Sequence, residues 1–177
     1  MICPGFLKQN TQSVPILVYH HVYPDGSFEL KQANSGDGAG IIGKQIFLRQ
    51  LHFILDAGWN VVSTSQIVGW LMKKEVLPQK SMVLHFDNGW IDTVTVALPI
   101  LNHLGLTATC YPITEGIDAA SEGKSKPIRT LTEGVIKRPF MNWDQVKLLL
   151  DSGWEIGAHT ATHCKVVEQF NIGGSEA

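Results

Sequence analysis

The chain has 177 residues, 44% apolar and 17% charged, and its 14 Lys and Arg against 16 Asp and Glu leave a net charge of −2. That composition supports one globular domain with an ordinary core and excludes a disordered tail or a fibre. No apolar run nears the roughly 20 residues of a membrane helix, and so balanced a charge offers no basic face to nucleic acid, so neither a membrane span nor a nucleic-acid partner is expected.

Along the chain, the N-terminal stretch MICPGFLKQNTQSVPILVYHHV lacks the basic start and unbroken apolar run of an export signal. PILVYHHV, residues 15–22, reads as a buried strand, and the Gly-, Asn- and Asp-rich ANSGDGAG, residues 33–40, as a mobile loop. Between Gly43 and Ala57, Ile46, Phe47, Leu51, Ile54 and Leu55 recur at helical spacing, and Gly58 stands where a C-terminal cap belongs. A strand, WNVVS, follows, then a helix from Thr64 to Lys74 and the strand SMVLHFD, residues 81–87. A helix from Thr93 to Leu104, stopped by Gly105, leads to the strand TATCYPIT, residues 107–114. EGIDAASEGKSKPIRTLTEGVIKRP reads as a polar insert, after which a helix from Asn142 to Ser152 and the strand WEIGAH, residues 154–159, resume the pattern.

This alternation predicts an α/β fold with about five parallel strands. A closed (β/α) barrel uses about eight strands and about 250 residues, so the expectation is an open sheet or an incomplete, distorted barrel. Cys3, Cys110 and Cys164 are widely and irregularly spaced, which predicts free thiols and neither a disulfide framework nor a metal knuckle.

In β/α proteins the reactive groups gather at the carboxyl ends of strands. Three such ends carry candidates: His20-His21, His85-Phe86-Asp87-Asn88-Gly89, and His159-Thr160-Ala161-Thr162-His163. Two histidines four apart can place both imidazoles on one divalent metal; alternatively, one packs and the other is solvated. Asp87 and Asn88 precede a glycine that allows a tight turn, so they form either an Asx turn or a carboxylate poised as a general base or ligand. His85 lies two residues before Asp87 and shares its strand face, either in the cleft or as a core histidine. Strand alternation admits at most one of His20 and His21 to a site. His52 and His103 fall on predicted helices as surface or boundary residues, and of five tryptophans only Trp90, directly after the turn, is placed to meet a ligand.

These segments resemble the polysaccharide deacetylase superfamily, carbohydrate esterase family 4, in its exopolysaccharide-modifying branch. The family's T-F-D-D-G motif is matched by His85-Phe86-Asp87-Asn88-Gly89, and its H-[ST]-x-x-H motif by His159 to His163. PILVYHHV, FLRQLHFILDAGWNVVS, LPQKSMVLHFDNGW, ALPILNHLGLTATCYPIT and MNWDQVKLLLDSGWEIGAHTATH look like its successive segments. The resemblance implies a distorted (β/α) barrel and a metal-dependent hydrolase that removes acetyl groups from N-acetylglucosamine units of a polysaccharide, outside the cell or at its envelope. It implies Asp87 as general base, His159 and His163 as ligands of a divalent ion, zinc above all, and the third ligand at Asn88. An amide brings no charge, so the ion is expected to bind more weakly there.

His20, His85 and Trp90 are the residues expected to meet substrate. The family's later motifs, an Arg-x-Pro segment and a histidine acid, have no counterpart after His163, and Arg138-Pro139-Phe140 precedes the histidine pair. The chain is therefore expected to be one domain, residues 1–177, without those C-terminal motifs. The alternatives are a non-catalytic relative that binds glycan or a partner protein, and a fragment of the enzyme. An unpaired strand edge makes a homo-oligomer a further expectation.

Overall fold

In a computed structural model of the chain, residues 13–32, 40–130 and 134–165 are described. The strands are β1 (Ile16–Tyr19), β2 (His21–Tyr23), β3 (Ile41–Gly43), β4 (Asn60–Val61), β5 (Ser81–Asn88), β6 (Thr109–Pro112), β7 (Ile128–Thr130), β8 (Gly134–Ile136) and β9 (Glu155–Ile156). The α-helices are α1 (Phe28–Gln32), α2 (Lys44–Asp56), α3 (Thr64–Leu71), α4 (Leu98–His103), α5 (Thr114–Ser121) and α6 (Trp143–Asp151). A five-stranded parallel sheet runs β1-β5-β6-β9 with β4 also on β5, and it does not close into a barrel among the described residues. The expected α/β class and strand number therefore hold, with most strands shorter than the sequence suggests.

β5 is the spine of this sheet, and its alternation separates core from chemistry. Met82, Leu84 and Phe86 point into the main core with Phe47, Leu51 and Ile54 of α2, Leu98, Ile100 and Leu101 of α4, and Val146 and Leu149 of α6. His85 and Asp87, at the intervening positions, are only partly buried. Paired positions on neighbouring parallel strands share a face, so Val18 and Thr109 flank His85, and Tyr111 flanks Asp87.

Local chemistry explains where the helices begin and end. Phe47, Leu51 and Ile54 form the buried stripe of α2, and Gly58, at φ +74, turns the chain out after it. Ser63 and Gln66 close a capping box on α3, as Asn142 and Gln145 do on α6. Thr93–Ala97 is a π-helical stretch ahead of α4. Pro99 lacks an N–H and its ring crowds the carbonyl four residues back, which accounts for the wider turn there.

Two expectations need correction. PILVYHHV is not one strand: the chain bends at His20, β1 pairs with β5, and β2 pairs with β3 in a separate two-stranded sheet. The stretch read only as a polar insert holds α5 and the antiparallel hairpin β7–β8, anchored by buried Ile117 and Ile128. Gly116 makes that packing possible, since a Cβ there would meet the Phe140 ring at 2.6 Å. Cys110 and Cys164 are free thiols, while Cys3, residues 33–39 of the Gly-rich loop and the chain beyond Lys165 lie outside the described residues. His52 and His103 are exposed, as expected.

Candidate active site

Four carboxyl-end segments converge. His20 follows β1, Asp87 and Asn88 end β5, Tyr111 lies on β6, and His159 and His163 follow β9. Across them His20 Nε2 lies 4.0 Å from Asp87 Oδ2, with the side chains 39% and 22% exposed. An imidazole and a carboxylate thus face one another at a surface that solvent and substrate can reach.

The histidine pair is held beside them, its ring centroids 5.0 Å apart. Burial pushes the His159 imidazole below its ordinary value; the Asp87 carboxylate opposes this, while His163 and His20 reinforce it. A neutral imidazole keeps a lone pair for a cation. His163 Nδ1 lies 2.8 Å from the Arg129 carbonyl of β7. A carbonyl can only accept, so Nδ1–H donates and Nε2 is left with its lone pair, the arrangement typical of a ligand histidine.

Asn88 is 2% exposed, with φ +73, a left-handed conformation that Asn adopts more readily than most residues. Its Oδ1 is buried without a hydrogen-bond partner. Orphaned buried oxygens of this kind are rare, and a cation would satisfy this one. Among the described residues no three His, Cys, Asp or Glu side chains form a metal-holding group. By chemistry, His159, His163 and Asn88 would suit a borderline divalent ion, as donors that bring no charge.

The remaining expected residues divide. His85 shares the face of Asp87, but its Nε2 lies 3.0 Å from Thr64 Oγ1 and 3.4 Å from Tyr111 Oη, beneath the cleft. Burial lowers its pKa against the fields of Asp87 and Glu155. Trp90 is not a ligand contact: it is 1% exposed, stacked between Phe140 at 4.3 Å and His21 at 4.8 Å, because the chain after Gly89 turns inward. His21 is buried as well, which leaves His20 as the member of that pair in the cleft.

Sequence reasoning missed Tyr111, whose ring lies against Gly157 where any Cβ would collide. The small residue in WEIGAH was the available signal. It also missed the Arg129 carbonyl, for which a backbone atom on an unforeseen hairpin gives no signal.

The family model described as polysaccharide deacetylase matches residues 74–171. Poly-β-1,6-N-acetyl-D-glucosamine N-deacetylase of Escherichia coli (strain K12) is 29% identical over 112 residues, 63% of this chain and 16% of that protein. The solved structure of a de-N-acetylase from Aggregatibacter actinomycetemcomitans is similar with a TM-score of 0.66 at 29% identity, covering 84% of this chain and 55% of that one. The Streptococcus pyogenes deacetylase PplD, solved with acetate, gives a TM-score of 0.66 at 25% identity, over 85% of this chain and 57% of that one. The chain thus spans little more than half of these solved structures and a sixth of the E. coli protein.

Proposed function

The chain belongs to the polysaccharide deacetylase family, and on that premise we propose that it hydrolyses the acetamido groups of N-acetylglucosamine units in a polysaccharide, with a divalent ion, zinc, as cofactor. The observation that carries this reading is the His20–Asp87 pair, 4.0 Å apart at the carboxyl end of the sheet beside two further imidazoles. The name of the E. coli relative supports N-acetylglucosamine as the substrate, and the reading puts the work on such a polysaccharide outside the cell or at its envelope.

His159, His163 through its Nε2, and Asn88 through Oδ1 would hold the ion, which supplies a Lewis acid that polarises the acetyl carbonyl. Asp87, as carboxylate, takes a proton from the attacking water as the water oxygen bonds to the carbonyl carbon. His20, as imidazolium, gives its proton to the nitrogen as the C–N bond breaks. One water is consumed, and acetate and a free amine leave. His20 is thereby the general acid of the proposed reaction, set across from the base by the end of β1.

A non-catalytic glycan-binding role is the second reading, favoured by the uncharged ligand at Asn88. Acetate release from an N-acetylglucosamine oligomer by the zinc-loaded chain separates the two. The wild type should release acetate, and Asp87→Asn should lower the rate about 100-fold or more. A wild type that binds the oligomer but releases nothing supports the second reading. Turnover that persists in Asp87→Asn removes Asp87 from the mechanism.

A further inference from the structure

The bend at His20 has a buried polar chain behind it that the reaction itself does not use. Asp92, 4% exposed, lies 2.9 Å through Oδ1 from His21 Nδ1 and accepts the Val22 N–H at Oδ2 at 2.8 Å. Arg138 Nη1 lies 3.2 Å from His21 Nε2. A guanidinium can only donate, so Nε2 accepts, and Nδ1–H donates to Asp92. The His21 ring is also stacked on Tyr23 at 4.9 Å and on Trp90 at 4.8 Å. Burying a carboxylate and a histidine in this way is costly, and an apolar trio of like volume would serve stability as well or better. What the polar trio adds is direction, since each bond fixes one atom of the backbone or ring.

The atom fixed matters because of its neighbour. On one side of His20, Tyr19 is held in register with Phe86 on β5. On the other, His21 N–H donates to the Gly40 carbonyl at 3.0 Å, and Val22 N–H is held by Asp92. Gly40 also cradles the His20 ring: a Cβ at Gly40 would meet His20 Nδ1 at 2.9 Å. The Nδ1 edge therefore rests on Gly40, while Nε2 faces Asp87.

We propose that Arg138, His21 and Asp92 are positioning residues that clamp the β1–β2 bend and so hold His20 across from Asp87 as proton donor to the leaving nitrogen. This rests on the deacetylase reading, and none of the three touches the reacting atoms. Amide hydrolysis needs the leaving nitrogen protonated, whereas a nitrophenyl acetate loses a stable phenolate with no acid. Asp92→Asn, which keeps the side-chain shape, and Arg138→Met, which removes the guanidinium on His21 Nε2, are compared with wild type on an N-acetylglucosamine oligomer and on nitrophenyl acetate, both zinc-loaded.

The expected result for Asp92→Asn is a fall in kcat on the amide of about 30-fold, with little change in KM, and a rise of about tenfold in the ester-to-amide rate ratio, since general acids contribute about 100-fold or more. Arg138→Met should move the ratio in the same direction. Equal losses on both substrates, or none on either, overturn the proposal. If wild-type protein hydrolyses neither, the deacetylase reading has failed, and the clamp is judged by hydrogen exchange. Faster exchange of the His21 and Val22 amides in Asp92→Asn supports it, and unchanged exchange overturns it.

Discussion

Replacing Asn88 by Asp tests the one residue in which the H-F-D-N-G turn departs from paired aspartates. Position 88 is 2% exposed with φ +73, which Asp tolerates as Asn does, so the exchange alters charge with little change of shape. Without a cation it buries a second carboxylate beside Asp87, at an oxygen that has no hydrogen-bond partner. An unmet buried polar group costs about 1–3 kcal/mol, and in a chain of this size each kcal/mol moves Tm by about 2–4 °C, so the metal-free variant should melt roughly 3–10 °C below wild type. With a dication the sign reverses: the added charge should tighten zinc by about tenfold, or 1.4 kcal/mol. At zinc well above both dissociation constants, linkage returns that difference as stability, so zinc should raise the variant's Tm by about 3–6 °C more than it raises wild type's. Thermal melts in chelator and in zinc, with Kd from competition against a chromophoric chelator, measure both arms. A variant that matches wild type in metal-free Tm and in zinc Kd would show that Asn88 is a turn residue turned away from any ion.

Two further outcomes follow from the neighbouring histidines. His163→Ala removes the imidazole whose Nδ1–H is fixed by the Arg129 carbonyl, and zinc affinity should fall about 100-fold or more, so that the desalted protein no longer holds stoichiometric metal; full retention would exclude His163 as a ligand. Burial depresses His85 in the folded state below the ordinary histidine value of about 6.5, so the unfolded chain takes up its proton first as pH falls. The stability it contributes is present above that value and lost on acidification. His85→Gln should therefore flatten part of the decline in Tm between about pH 7 and pH 5, and equal slopes in the two proteins would refute the assignment.

The sequence made the site more legible than the fold around it. Asp87, Asn88, His159 and His163 stand out as candidates because strand ends concentrate chemistry and because the residue types at those ends are unusual for plain turns. The helices α2, α3 and α6 could be found from an apolar stripe and cap residues that act within a few positions. What escaped was tertiary in origin. PILVYHHV has the composition of one strand, and the side chains that hold His21 just after the bend, Asp92 and Arg138, lie 71 and 117 residues from it. The hairpin β7–β8 hides in a polar stretch because its two strands are only three residues each and their pairing, not their pattern, defines them. Trp90 was misplaced for a related reason: position after a turn says where the backbone goes, and only the Phe140 ring packed over Gly116 shows that the indole is enclosed.

The open sheet bears on how the proposed chemistry would run. The acid, the base and the histidine pair come from β1, β5 and the segment after β9, strands joined through β6, so an unclosed sheet is enough to bring them together. Closure would change their surroundings. On the same face as His85, Ile16 and Val18 remain 52% and 49% exposed because no strand beyond β1 covers them among the described residues. Water therefore has access to the floor beneath His20 and Asp87, where it weakens the fields that stabilise developing charge. A glycan lying along Val18 and Tyr111 would exclude water there as it brings its acetamido group between His20 and Asp87. On that argument, binding and chemistry are coupled in the proposed reaction, since the substrate itself keeps water from the place where a carboxylate and an imidazole 4.0 Å apart can exchange protons with it.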